Sequence, residues 1–86
     1  MKIVFHKNFE KKYVKLSSKY KIKVKERNSL FTNNPYDPVL NNHALQGTYV
    51  GYRSINVTGD LRIIYKYIDT KNVMFVDIDN HSNLYK

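Results

Sequence analysis

Cysteine is absent from this 86-residue chain, which rules out disulfides and thiolate metal sites. Small secreted domains usually need such cross-links, so an extracellular setting is disfavoured. Long apolar runs are missing too. The opening stretch, Met1 to Lys7, holds only three consecutive apolar residues, Ile3-Val4-Phe5, too few for a signal-peptide core or a membrane span. A cytoplasmic location without membrane contact is therefore expected. Asn56-Val57-Thr58 and Asn80-His81-Ser82 match the glycosylation sequon, and in that setting they are chance matches. With three glycines in all, no glycine-rich phosphate loop can be drawn. His, Asp and Glu do not fall at metal-ligand spacing, and no serine sits in a nucleophile elbow. No cofactor is expected. Repeats, linkers and low-complexity segments are also lacking, so residues 1–86 read as one domain. A chain this short buries only about 60–65% of its unfolded surface and has room for one core.

Acidic residues are few, and the imbalance is local. Residues 1–27 carry ten Lys and Arg against Glu10 and Glu26, a net of +8, whereas residues 28–86 are neutral. Such an excess implies a polyanionic partner, because cations at phosphates release condensed counterions. A solvated, lysine-rich helical face is the plainer alternative. Eight tyrosines tilt the balance towards RNA, since aromatic faces stack on unpaired bases.

Ile3-Val4-Phe5 reads as an opening strand. A helix then begins at His6 or Lys7, with Phe9, Tyr13 and Leu16 on one face and Lys11, Lys12 and Lys15 around the rest. His6, near the cap, reads as structural. Residues 19–27 are ambiguous: Tyr20, Ile22 and Val24 alternate with lysine as in a strand, yet Tyr20, Val24, Arg27 and Phe31 share a helical face. The length of the pattern predicts a helix over 19–32. Residues 33–38, with two prolines, form a loop, and 39–44 continue irregularly. Residues 52–57 alternate as a strand. Thr58-Gly59 makes a turn, with the glycine supplying positive φ. Residues 61–68 form a central strand buried on both faces, and 73–78 the last strand. The expected fold is α+β, in the order β-α-α-β-β-β, with two basic helices packed on a small, mainly antiparallel sheet.

Four motifs in the second half carry a resemblance: His43-Ala44-Leu45-Gln46-Gly47, Gly51-Tyr52-Arg53, Asp60 leading into Ile63-Ile64-Tyr65-Lys66, and His81-Ser82 followed by Leu84-Tyr85. In this order and spacing the chain resembles the RelE/ParE superfamily of type II toxins, and the YafQ-like branch above all. The resemblance implies a RelE-like fold and an endoribonuclease that cleaves mRNA, generally on the ribosome. It also implies silencing by a cognate antitoxin protein, with the toxin alone a monomer and the complex a larger assembly. The family's site positions fall on His43, Asp60, His81 and Tyr85. Ser54 and Asn56 stand where the family often has Asp and His, Leu61 where an aromatic is common, and Asp79 where a glycine precedes the terminal histidine.

Metal-free RNA cleavage needs a base for the 2′-OH, an acid for the departing 5′-oxygen, and cations or donors on the transition state. Histidine, with an ordinary pKa of about 6.5, suits the first two tasks, and arginine the third. His43 as base and His81 as acid is a workable assignment, with the direction left open. Asp60 could orient a histidine, or be an ordinary turn residue. Tyr85 could stack on a base or donate its hydroxyl, or simply close the sheet. Arg53, Arg62, Asn56, Lys11, Lys12 and Lys15 are the expected RNA contacts. In an alternating strand, Arg53 and Ser54 face opposite ways. The rival readings are a non-enzymatic ParE-like gyrase poison and an RNA-binding homologue whose catalysis has lapsed.

Overall fold

The computed structural model describes residues 1–84. Strand β1, Lys2–Phe5, turns directly into helix α1, Lys7–Val14. His6 caps that helix: its backbone is extended and its Nδ1 accepts the Asn8 N–H at 3.0 Å. The imidazole thus does the work of the usual Ser or Asp cap. Ser17 caps α2, Ser18–Asn33, its Oγ accepting from the Tyr20 N–H at 3.5 Å. The ambiguous lysine-alternating stretch is therefore helical. A strand would have buried Ile22 alongside Val24; the helix buries Val24 and Phe31 and leaves Ile22 67% exposed.

Four further strands follow: β2 (His43–Ala44), β3 (Arg53–Asn56), β4 (Leu61–Tyr67) and β5 (Asn72–Asn80). The last described turn is helix α3, His81–Leu84. The sheet runs β1-β5-β4-β3-β2, with β1 parallel to β5 and the other pairs antiparallel. On one face, Phe9, Val24 and Phe31 from the helices meet Ile55, Ile63, Tyr65, Phe75 and Ile78 from the strands. Side chains alternate across a strand, so Ile64 of β4 points the other way, into a smaller cluster with Leu45 and Leu84. β4 is thus central and buried on both faces, as its apolar sequence predicts. No helix among the described residues is long and apolar enough to cross a membrane.

The expected elements are all present, with two additions and one correction. His43–Ala44 pair with Ser54 and Arg53 as an edge strand rather than running irregularly. Two residues carry no alternation to read. The polar tail after β5 closes as α3, with Asn80 Oδ1 accepting the Asn83 N–H at 2.8 Å. The correction concerns Gly59, whose φ is not positive; Gly47 and Gly51 are the left-handed glycines. The turn is closed instead by Thr58 Oγ1, which accepts from the N–H groups of Asp60 and Leu61.

Two polar clamps hold the parts that matter later. The Lys12 ammonium of α1 bridges Asp77 (2.9 Å) and Asp79 (3.1 Å) on β5. Desolvation would lower the Lys12 pKa, but the bonds to the two carboxylates outweigh it and hold it above its ordinary value. Desolvation would raise Asp79, but hydrogen bonds from Asn83 and the Asn80 N–H, together with Lys12, hold it below the usual carboxylate range. The second clamp is Asn42. Its Nδ2 donates to the Pro35 carbonyl (2.9 Å) and the Tyr65 hydroxyl (2.7 Å), while its Oδ1 accepts from Arg53 Nε (2.9 Å). One amide therefore ties the proline loop, β3 and β4 to the residue before His43.

Both clamps are testable by unfolding in urea. The share that Asp79 contributes is present above its unfolded value near pH 4 and is lost as pH falls through its lowered folded value. That of Lys12 is complete below about pH 10 and is lost only as pH rises through its raised value. Lys12→Met should therefore cost on the order of 1 kcal/mol at neutral pH, and the difference should close as the pH falls through the lowered Asp79 value. Asn42→Ala strands a buried phenol and a guanidinium, and should cost about 2–3 kcal/mol at any pH between these limits.

Candidate functional site

The face opposite the two long helices carries the polar row. Along β3, Ser54 and Asn56 share this face with Ile64 and Arg62, their cross-strand partners on β4. His43 pairs with Ser54 across β2 and β3, so it belongs to the same face at the sheet's edge. Ser54 Oγ, Asn56 Oδ1 and Arg62 Nε are all buried and have no hydrogen-bond partner among the described residues. Buried polar atoms are normally paired, so three orphans in neighbouring positions call for an explanation. A fourth such atom, Asn28 Oδ1, lies apart from them on α2.

His43 is held by its own loop. Its Nδ1 lies 2.8 Å from the Asn41 carbonyl. A carbonyl can only accept, so Nδ1 carries a hydrogen, and in the tautomer with that single hydrogen Nε2 is the lone-pair nitrogen. Asn41 itself sits in the left-handed region, at φ 46°. That conformation, tolerated by asparagine, turns the chain from the Pro38–Leu40 3₁₀ turn into β2.

Asp60 and His81 come together at the other end of the row. The His81 N–H donates to the Asp60 carbonyl at 2.9 Å, joining the start of β4 to the start of α3. This is the meeting that an antiparallel β4–β5 pair requires. Asp60 also lines a shallow cleft with Leu16, Tyr20 and Asp79. β2 and β5 stand three strand spacings apart, about 14 Å, and α3 folds back from β5 so that Leu84 packs with Leu45 and Ile64. Among the described residues no three His, Asp or Glu side chains are disposed to hold a metal ion.

The remaining candidates are dispersed. Tyr85 lies outside the described residues. Arg53 projects to the opposite face from Ser54, where Nε is bonded to Asn42 and the guanidinium stands 5.6 Å from the centre of the Tyr36 ring. Lys12 is engaged with Asp77 and Asp79, while Lys11 and Lys15 are exposed on α1 and its C-terminal cap. Sequence reasoning misses Asn42, the residue that positions the chain at His43. Nothing about a loop asparagine signals that its amide will meet Pro35, Tyr65 and Arg53 together. Ser54 is legible in sequence only as a replacement for an acid; its buried, unpaired hydroxyl is visible only in the fold.

A family model described as the bacterial toxin of a type II toxin–antitoxin system, YafQ, matches residues 1–86. Among solved structures, YafQ from E. coli strain BL21(DE3) is 31% identical, covers 98% of this chain and 97% of its own, and superposes with a TM-score of 0.79. The E. coli DinJ–YafQ toxin–antitoxin complex gives 31% identity over 98% of this chain and 96% of that one, with a TM-score of 0.75. A YoeB/ParE toxin from Agrobacterium tumefaciens shares the fold, with a TM-score of 0.77 over 94% of this chain and 99% of its own, at 18% identity. A search of curated proteins finds no match. With a whole-chain family match and a fold shared with YafQ itself, this chain belongs to the YafQ family of type II toxins.

Proposed function

We propose that this toxin is an endoribonuclease that cleaves mRNA, on the ribosome, by metal-free attack of the 2′-OH on the adjacent phosphate. The observation that carries the proposal is the polar row itself. His43 presents Nε2 at one end of a face whose Ser54, Asn56 and Arg62 hold buried polar atoms without partners. In this scheme His43 takes the 2′-OH proton through Nε2, Arg62 Nε donates to a phosphate oxygen, and Asn56 Oδ1, an acceptor, receives a hydrogen bond from a sugar or base donor. His81 protonates the leaving 5′-oxygen. Asp60, whose carbonyl accepts from the His81 backbone, sets where that histidine stands. Tyr85, which follows Leu84 directly in the chain, would add a stacking ring or a hydroxyl.

The basic helices would hold the message or ribosomal RNA backbone through Lys11 and Lys15, with Lys12 reaching it only by leaving Asp77 and Asp79. An antitoxin protein would silence the toxin, as the DinJ–YafQ complex suggests by analogy. Its own chemistry should be acidic, to meet a net charge of +8.

Controlled induction of the full chain, with mapping of mRNA 5′ ends, tests the proposal. New ends should arise with the native chain, and His43→Ala and His81→Ala should each lower their yield by about 10²–10⁴-fold, the usual share of a general acid or base. Growth arrest with DNA damage and no new mRNA ends would contradict it, as would undiminished cleavage by both alanine variants.

A further inference from the structure

Behind the edge strand, on the other side from His43, lies a cavity of about 300 Å³ lined by Tyr36, Ala44, Gly51, Tyr52, Arg53 and Tyr67. Three of these six residues are tyrosines, and none is acidic. Tyr36 and Tyr67 are 58% and 43% exposed, whereas the aromatic rings of the core, Phe31, Tyr65 and Phe75, are fully buried. Core packing therefore does not account for these two rings.

The walls are prepared for a flat ligand. Tyr36 stands between Pro35 and Pro38, with the Pro35 carbonyl held by Asn42 and the Tyr36 N–H bonded to Asn34 Oδ1 at 3.3 Å. The loop is thus stiff, and ordering it costs little on binding. Gly51 lies in the left-handed region at φ 91°, and the space where its Cβ would stand is open. A side chain there would be strained and would project from a wall that is now clear. A cation borders the rings: the Arg53 guanidinium stands over Tyr36 at 5.6 Å. Burial and the neighbouring Tyr36 hydroxyl push the Tyr67 phenol up from its ordinary value.

We propose that Tyr36, Tyr67 and Arg53 form a cradle for one unpaired RNA base, an inference that rests on the endoribonuclease function proposed above. The base stacks on the tyrosine faces and Arg53 meets its phosphate, the combination by which single strands are held without sequence readout. His43 and Ala44 are consecutive on β2 and face opposite sides. An RNA strand bent over this sheet edge can therefore place a phosphate at His43 and a neighbouring base in the cradle.

The test measures binding of a short, labelled single-stranded RNA to the full chain carrying His81→Ala, so that cleavage does not intervene. The same RNA with abasic sites is the comparison. Adding Tyr36→Ala should weaken binding of the base-bearing RNA by about five- to a hundred-fold and leave the abasic RNA unaffected, while Tyr36→Phe keeps the affinity. Equal affinity of Tyr36→Ala and its parent for the base-bearing RNA, or equal losses on both RNAs, overturns the cradle while leaving the nuclease intact. Failure of the parent to bind either RNA also overturns the cradle, whereas the nuclease reading stands or falls on the mapping of mRNA 5′ ends.

Discussion

The Asn42 carboxamide is the point on which the site side of the molecule depends. Two donors and one acceptor reach the proline loop, β4 and β3 at once. The amide adds to the hold on an edge strand that pairs through two residues and the Leu45 N–H to the Tyr52 carbonyl. His43 follows directly, and its ring is set by the preceding Asn41 carbonyl. A half-buried amide with all these bonds made is stable; with one partner removed, the stranded polar groups would destabilise the loop.

The sheet divides the labour. Its helix face is closed by aromatic and β-branched side chains, with the Phe31 ring in edge-to-face contact with both Tyr65 and Phe75. Its other face has only a small apolar cluster, which leaves room for the polar row. The stability of the first face is what allows the second to carry unpaired buried atoms. Such atoms cost free energy, and proteins concentrate that cost where a ligand can offset it.

The helices, the central strand and the turn positions were legible because periodicity and apolar runs report burial directly. Val24 and Phe31 mark the buried side of α2, and Ile63, Ile64 and Tyr65 the double burial of β4. The adjacency of Asp60 and His81 followed from strand direction alone. What sequence does not carry is tertiary hydrogen bonding. Asn42 is one loop asparagine among several until Tyr65 and Arg53 are in place, and Lys12 reads as one more lysine until Asp77 and Asp79 meet it. Gly59 shows the same limit in reverse: a threonine hydroxyl closes the turn, so the glycine needs no special φ.

The central claim is that the polar row acts on the 2′-OH of RNA. The most direct measurement uses the purified full chain and a ribosome-bound message bearing one 2′-deoxynucleotide at the cut position. Cleavage of the all-ribose message should leave a 5′-hydroxyl end, and the single deoxy substitution should abolish that cut. Cleavage that continues undiminished at the deoxy position would contradict the account.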